Sequence, residues 1–145
     1  MSMAIVVFYE KSGCTGNARQ KALLEAAGHI VAARDLRRVM WTRVRLLSFF
    51  HDLPVADWFN RSAPAVKNGD IVPEALDHQM ALSLLLTDPL LIRRPLLEVG
   101  DERRVGFDVA AVHAWIGLGD APPAGNLEAC IQPDRARGCP DPLAY

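Results

Sequence analysis

Residues 5–29 leave a chain like this few ways to fold. They read Ile-Val-Val-Phe-Tyr-Glu-Lys-Ser-Gly-Cys-Thr-Gly-Asn-Ala-Arg-Gln-Lys-Ala-Leu-Leu-Glu-Ala-Ala-Gly-His. Residues 5–9 are β-branched and aromatic without alternation, the pattern of a strand covered on both faces. Ser12-Gly13 breaks that strand. Cys14 then falls at the mouth of a predicted helix whose apolar residues Ala22, Leu23, Ala26 and Ala27 recur at helical spacing. Gly28 suits the first position beyond it. A thiol at a helix start meets unsatisfied backbone N–H groups and the positive end of the helix dipole. Both favour thiolate over thiol, and the same donors suit an anion. A cysteine buried only to fill a core behaves as a small hydrophobe. The Ser-Gly before Cys14 and the Thr-Gly-Asn after it argue for a reactive thiol instead.

The segment that follows turns this start into a unit. Residues 29–34 predict a second strand, and strand–helix–strand at this length predicts a parallel, right-handed βαβ crossover. Thr42 is a candidate N-cap for a helix with Val44, Leu47 and Phe50 on one face. Pro54 ends it. Residues 55–60 predict a short helix with Trp58 and Phe59 inward, and residues 61–69 a loop. Pro73 suits a short helix and Asp77 caps the next. That helix carries Met80, Leu84 and Leu85 and is almost apolar all round, so covering on two sides is expected. Asp88-Pro89 stops it.

Pro95 cannot donate to a ladder, so it is expected at the start of a strand or a bend. Residues 96–99, Gly100-Asp101 and residues 103–107 read as a β-hairpin. Asp108 caps a last helix bearing Val109, Val112, Ala114 and Ile116. The expected fold class is therefore α/β: β-α-β, an inserted helical segment, a β-hairpin and a final helix, on a four-stranded mixed sheet. From Gly117 the composition shifts, with five prolines and four glycines in the last 29 residues. Residues 1–118 are read as one domain and 119–145 as a poorly ordered Pro/Gly-rich tail that holds Cys130 and Cys139.

Composition excludes several functions. A net charge of −1 gives no global field for nucleic acid or a membrane surface. No apolar run approaches the roughly 18 residues of a membrane span. No signal peptide is expected, and three irregularly spaced cysteines suit a reducing, cytoplasmic setting more than a disulfide scaffold. His29, His51, His78 and His113 lack ligand spacing, so no metal site is expected. Asn17 stands where a Cys-x-x-Cys motif has its second thiol, so any resolving thiol comes from elsewhere: a small thiol, another protein, or Cys130 or Cys139. Arg34, Arg37, Arg38, Arg43 and Arg45 form a basic run read mainly as a solvated face, with docking of an acidic partner as the alternative. Trp58, Phe59 and Trp115 are assigned to the core.

The element order is that of thioredoxin with helices inserted before the hairpin. Four places sharpen it: the strand-loop-Cys14 start with Leu23-Leu24-Glu25, Trp58-Phe59-Asn60-Arg61, residues 88–95 as Asp-Pro-Leu-Leu-Ile-Arg-Arg-Pro, and Val105-Gly106-Phe107. Through these the sequence resembles the arsenate reductase (ArsC-like) family of thioredoxin-fold proteins, which includes the Spx regulators, and most closely its nitrogenase-associated branch. In the reductases a cysteine attacks arsenate, arginines hold the oxyanion, and glutathione with glutaredoxin returns the thiol. The resemblance implies that Cys14 is the nucleophile and that Arg94 and Arg61 hold an anion. Pro95 matches a proline beside the site that is often cis. Where the family has Arg or Lys four residues after the cysteine this chain has Ala18. Arg19 is next, but one helical step turns its side chain by about 100°. The third reductase arginine falls near Val105-Gly106, with Arg103 and Arg104 as neighbours.

The expected function is an arsenate-reductase-like, thiol-dependent redox protein with one nucleophilic cysteine, acting on an oxyanion or mixed disulfide and linked by resemblance to nitrogen fixation. Arg94, Arg61 and Arg19 are its candidate anion-binding residues and Cys14 its catalytic one. No bound cofactor is expected. Glutathione is the expected reductant, and a small oxyanion or thiol, glutaredoxin or another protein the expected partners. The alternative is a non-catalytic regulatory or interaction module of the Spx-like or nitrogenase-associated type.

Overall fold

The computed structural model describes residues 3–50 and 52–119. Strand β1 (Ile5–Glu10) leads through a short loop into helix α1 (Thr15–Ala26) and returns as β2 (Ile30–Asp35). After a 3-10 turn over Leu36–Arg38 come α2 (Arg43–Phe50), a 3-10 turn over Val55–Trp58, α3 (Pro64–Lys67), a 3-10 turn over Pro73–Ala75, α4 (His78–Thr87) and a 3-10 turn over Pro89–Leu91. Strands β3 (Leu96–Val99) and β4 (Glu102–Val105) and helix α5 (Val109–Ile116) complete the fold. The sheet runs β2-β1-β3-β4. β1 and β2 are parallel from Ile5↔Ile30 to Glu10↔Asp35, whereas β3 is antiparallel to both β1 and β4.

The unalternated apolar run of β1 is explained by two covered faces. Val6 and Phe8 pack with Leu24 of α1, Leu97, Phe107 and Val109 and Val112 of α5. Tyr9 turns to the other face, among Leu36, Leu46, Phe49, Trp58 and Leu85. The second face is built by the inserted segment. Phe50 and Trp58 stack with centroids 4.9 Å apart, and the Trp58 Nε1–H donates to the Leu53 carbonyl at 3.0 Å. The aromatic ring therefore stays fully buried while its polar edge is satisfied.

Several helix faces differ from the expectation. In α2 the inward stripe is Leu46, Phe49 and Phe50, and Val44 is 80% exposed. The T-shaped contact of Phe49 with Tyr9, 5.6 Å between centroids, sets this rotation. In α4 Ala81, Leu82 and Leu85 are buried, while Met80 is 54% exposed. Within the expected loop over 61–69, Pro64 opens the short helix α3, whose Lys67 N–H reaches the Ala63 carbonyl and whose Val66 is buried. Trp115 is only half-buried. Its Nε1–H donates to Glu102 at 2.6 Å, and the Arg104 guanidinium lies 4.6 Å from the ring centre. In α5 Val109 and Val112 are buried, Ala114 is exposed and Ile116 half-buried.

The caps at Thr42, Asp77 and Asp108 form as expected: their side-chain oxygens accept from Arg45, Met80 and Ala111 N–H groups at 3.1, 2.8 and 3.1 Å. Gly28 follows α1 with φ +94°. His29, at the entry to β2, is 4% exposed. Its Nδ1 accepts from Ala4 N–H at 3.0 Å and its Nε2–H donates to the Gly117 carbonyl at 2.7 Å, joining the starts of β1 and β2 to the end of α5. Truncating His29 to Ala leaves two inward backbone groups unsatisfied. The expected loss of stability is about 1–3 kcal/mol, read as a lower urea midpoint with an unchanged m-value.

Candidate active site

The parallel strands β1 and β2 both end at one edge of the sheet, at Glu10 and Asp35. The crevice beyond strand carboxyl ends is where open α/β sheets bind ligands. Cys14 sits there as the N-cap of α1, extended at φ −77° and ψ 123°, with no side-chain cap bond. The first bond into the helix is from Ala18 N–H to the Cys14 carbonyl at 3.0 Å. The N–H groups of Thr15, Gly16 and Asn17 thus belong to the first turn, which has no intrahelical acceptors to offer them. Cys14 itself is 9% exposed.

Side chains to which the sequence reading gave no such role hold this loop. Gly13, at φ +88°, takes a backbone conformation that other residues rarely adopt. Before it, Lys11 N–H donates to Asn17 Oδ1 at 3.3 Å, and Cys14 N–H donates to the Lys11 carbonyl at 3.1 Å. Asn17 is 2% exposed and passes the connection on from Nδ2 to Gln20 Oε1 at 2.9 Å. On the other side Ser12 N–H donates to Asp35 Oδ2 at 3.3 Å. The Asp35 carboxylate also accepts from Arg37 N–H, Nε and Nη2 at 2.8, 2.9 and 2.7 Å. Below the loop Glu10, 7% exposed, pairs with Lys21 of α1 at 2.8 Å. Asp35, standing just before the turn over Leu36–Arg38, fits an Asx-type cap and is the signal for one of these anchors that the sequence carries.

Antiparallel pairing brings a second segment to the same edge. Tyr9 lies opposite Leu96, so Arg94 and Pro95 stand beside the end of β1. The Arg94–Pro95 peptide is cis. Gly106, at φ +82°, donates its N–H to the Pro95 carbonyl at 2.8 Å, which accounts for glycine in Val105-Gly106-Phe107. Arg94 is half-buried, with Nη1 enclosed by protein. The segment before it is held by the Phe59↔Ile92 bridge and by bonds from Asn60 N–H to the Leu91 carbonyl and Arg93 N–H to the Trp58 carbonyl, at 2.8 and 2.9 Å.

The other candidate cations have different surroundings. Arg61 follows Asn60, whose Nδ2 donates to the Leu90 carbonyl at 3.4 Å; it is exposed and ion-pairs with Glu74. That guanidinium holds the Glu74 carboxyl below its ordinary value. Arg19 is exposed on α1, and Ala18 before it is exposed as well. Arg103 pairs with Glu98 at 3.3 Å and Arg104 covers Trp115. The structure therefore gathers Cys14, Arg94 and Pro95 at one edge, pairs Arg61 with Glu74 and leaves Arg19 exposed on α1.

Comparison with known proteins settles the lineage. The ArsC family model matches residues 9–115. A 15.7 kDa uncharacterized protein in the draG 3' region of Rhodospirillum rubrum is 55% identical over 128 residues, covering 88% of this chain and 89% of its own. The chain belongs to the ArsC family. The solved YFFB (PA3664) protein is 26% identical, with a TM-score of 0.65 over 79% of this chain and 99% of its own. An arsenate reductase (ArsC) related protein from Brucella melitensis is 25% identical, with a TM-score of 0.61 over 81% of this chain and 98% of its own. An ArsC family related protein from Bacteroides fragilis, at 21% identity and a TM-score of 0.67 over 75% of this chain and 97% of its own, shares the fold.

Within this ArsC-family frame the remaining candidates are accounted for. Of the basic run, Arg37 is bound to Asp35, Arg43 reaches Gln79 and Ser83 of α4, and Arg45 donates to the Tyr9 hydroxyl at 3.1 Å with its guanidinium 5.2 Å from the Trp41 ring centre. Burial raises the Tyr9 hydroxyl above its ordinary pKa. Arg34 and Arg38 are exposed. Among the described residues no group of His, Cys, Asp and Glu is placed to hold a metal ion, and no helix is long and apolar enough to cross a membrane. Cys130, Cys139 and residues 120–145 of the expected tail lie outside the described residues, as does His51.

The Asp35 carboxyl is held far below its ordinary pKa, first by Arg37, with Ser12 adding to it. Its stabilising contribution is therefore complete above the unfolded value of about 3.9 and is lost as pH falls through the lower folded value. Asp35→Asn is expected to unfold at lower urea than the wild type at pH 7. Acid titration of both proteins should narrow that gap below about pH 4.

Proposed function

We propose that this ArsC-family protein is an arsenate-reductase-like, thiol-dependent redox protein in which Cys14 is the single nucleophile. The observation that carries the reading is the position of Cys14. It is the N-cap of α1, ahead of a first turn of N–H groups, at the sheet edge where Arg94 and Pro95 also lie. The helix end favours the thiolate and can accept a negatively charged oxygen. Arg94 supplies a forked donor suited to a tetrahedral oxyanion. The thiolate attacks an oxyanion or the sulfur of a mixed disulfide, forming a bond to Cys14 and releasing the leaving group. From a Cys14–arsenic adduct, an external thiol, glutathione by family analogy, attacks Cys14 Sγ. The S–As bond breaks with its electron pair leaving on arsenic as arsenite. A second thiol reduces the resulting Cys14 mixed disulfide to free Cys14 and a disulfide of the two thiols. From a Cys14 mixed disulfide, one external thiol suffices and leaves joined to the group it displaced Cys14 from. Arg61 joins the anion site by leaving Glu74, an exposed pair that holds it only weakly. Arg19 is the remaining candidate.

A non-catalytic interaction module of the Spx-like or nitrogenase-associated type is the second reading. Ala18 favours it, since this small side chain is exposed where the reductases carry a base. The naming of the Rhodospirillum rubrum relative for the draG region supports a tie to nitrogen fixation. Glutaredoxin or another protein is the partner in the first reading, and a docking protein in the second.

Alkylation of Cys14, followed by mass spectrometry of its peptide, separates the two. Arsenate or phosphate is expected to protect Cys14 of the wild type. Arg94→Ala is expected to raise the half-protecting concentration about tenfold or more, as loss of a charge-assisted hydrogen bond does. Cys14→Ser is expected to abolish thiol-dependent reduction of arsenate and of a mixed disulfide alike. Absence of protection, together with no turnover of either substrate, overturns the reductase reading.

A further inference from the structure

We infer that Asp35 is a positioning residue for Cys14, acting from the adjacent strand through the Ser12 N–H. The inference rests on the reading of Cys14 as the reactive thiol and goes beyond it by naming what holds that thiol in place. Within itself the Cys14 loop has a backbone closure from Cys14 N–H to the Lys11 carbonyl, which leaves the Ser12 N–H to be held from outside. Gly13 sits at φ +88°, and glycine leaves its neighbours free to reorient. Two side chains supply the restraint from opposite sides: Asn17 on Lys11 N–H, and Asp35 on Ser12 N–H.

The two anchors differ in kind. Asn17 belongs to α1, the helix that Cys14 caps, so it ties the loop to its own helix. Asp35 ends β2 and ties the loop to the sheet. Its side chain is only 8% exposed although Arg37 is 47% exposed. One carboxylate therefore serves both turns at this edge: it caps Leu36–Arg38 through Arg37 N–H and grips Ser12. Arg37 grips it in turn through Nε and Nη2, which fixes the direction of Oδ2. Reactive groups need such outer contacts, because a displacement of about 1 Å is enough to slow chemistry a hundredfold.

The test is the rate of Cys14 alkylation by iodoacetamide in the full-length protein, read from the Cys14 peptide. Asp35→Asn keeps an acceptor for Ser12 N–H, and Asp35→Ala removes it. Both lose the charge, so their ratio isolates the tether. Asp35→Ala is expected to react at least about fivefold slower than Asp35→Asn at a temperature well below both melting midpoints, and to need more arsenate for half-protection. Arg37→Ala, which leaves the carboxylate but frees its direction, is expected to fall between Asp35→Ala and the wild type. It carries the test if Asp35→Ala does not fold, and a wild-type rate for it then overturns the inference. Equal rates for the Asn and Ala variants overturn the role of Asp35 even where both are less stable than the wild type. A wild-type Cys14 no faster than the thiol of a short unstructured peptide overturns the reactive-cysteine reading itself, and the inference with it.

Discussion

Everything at the candidate site depends on β1 being hydrogen-bonded along both edges, to β2 in parallel and to β3 in antiparallel. The parallel partner puts the carboxyl ends of two strands side by side. The antiparallel partner brings the entry to a third strand to the same line. The loop that carries Cys14, the end of β2 with Asp35, and the Arg94–Pro95 segment then meet without further machinery. Gly106 adds the start of the β4–α5 connection through its bond to Pro95. A central strand of this kind must be apolar on both faces, which is why Val6 and Phe8 on one side and Tyr9 on the other are all buried.

Charge on and around the sheet is managed by pairing within the fold. Glu10 meets Lys21, Asp35 meets Arg37, and Glu98 meets Arg103 and accepts from the Tyr9 hydroxyl at 3.0 Å. Such pairs contribute modestly to stability when exposed, and their larger effect is geometric. Arg45 shows this clearly, since the rings of Trp41 and Tyr9 and the Tyr9 hydroxyl together fix a guanidinium that in sequence looks like one more surface charge. A basic stretch is therefore partly converted into cross-links between α2, α4 and the sheet.

The inserted helical segment does two jobs. It covers the Tyr9 face of the sheet with Leu46, Phe49, Phe50, Trp58, Leu82 and Leu85. Through the Phe59↔Ile92 bridge it also steadies the chain that delivers Arg94. The packing that stabilises the fold and the positioning that serves the site are carried by the same residues, since Trp58 is both a core ring and the carbonyl partner of Arg93 N–H.

The βαβ start, the hairpin, the caps at Thr42, Asp77 and Asp108 and the place of Cys14 were legible in the sequence, because each is local: periodicity, turn residues and capping side chains act within a few positions. The ArsC lineage was legible too, from Cys14 and the 88–95 segment. Helix rotation was not. Nothing near Val44 reveals that Phe49 will meet Tyr9, a contact spanning 40 positions, and so which residues of α2 turn outward. Nor could the sequence say what surrounds each arginine. Arg61 and Arg94 look alike in one dimension, yet one is drawn to Glu74 and the other is half-buried at the strand entry. The grip of Asp35 on Ser12 joins residues 23 positions apart. Sequence by itself determined the fold and the place of Cys14 at a helix start, because both are written in short-range pattern. Tertiary structure alone decided the partners of each charge, because long side chains take whatever partner the packed sheet brings within reach.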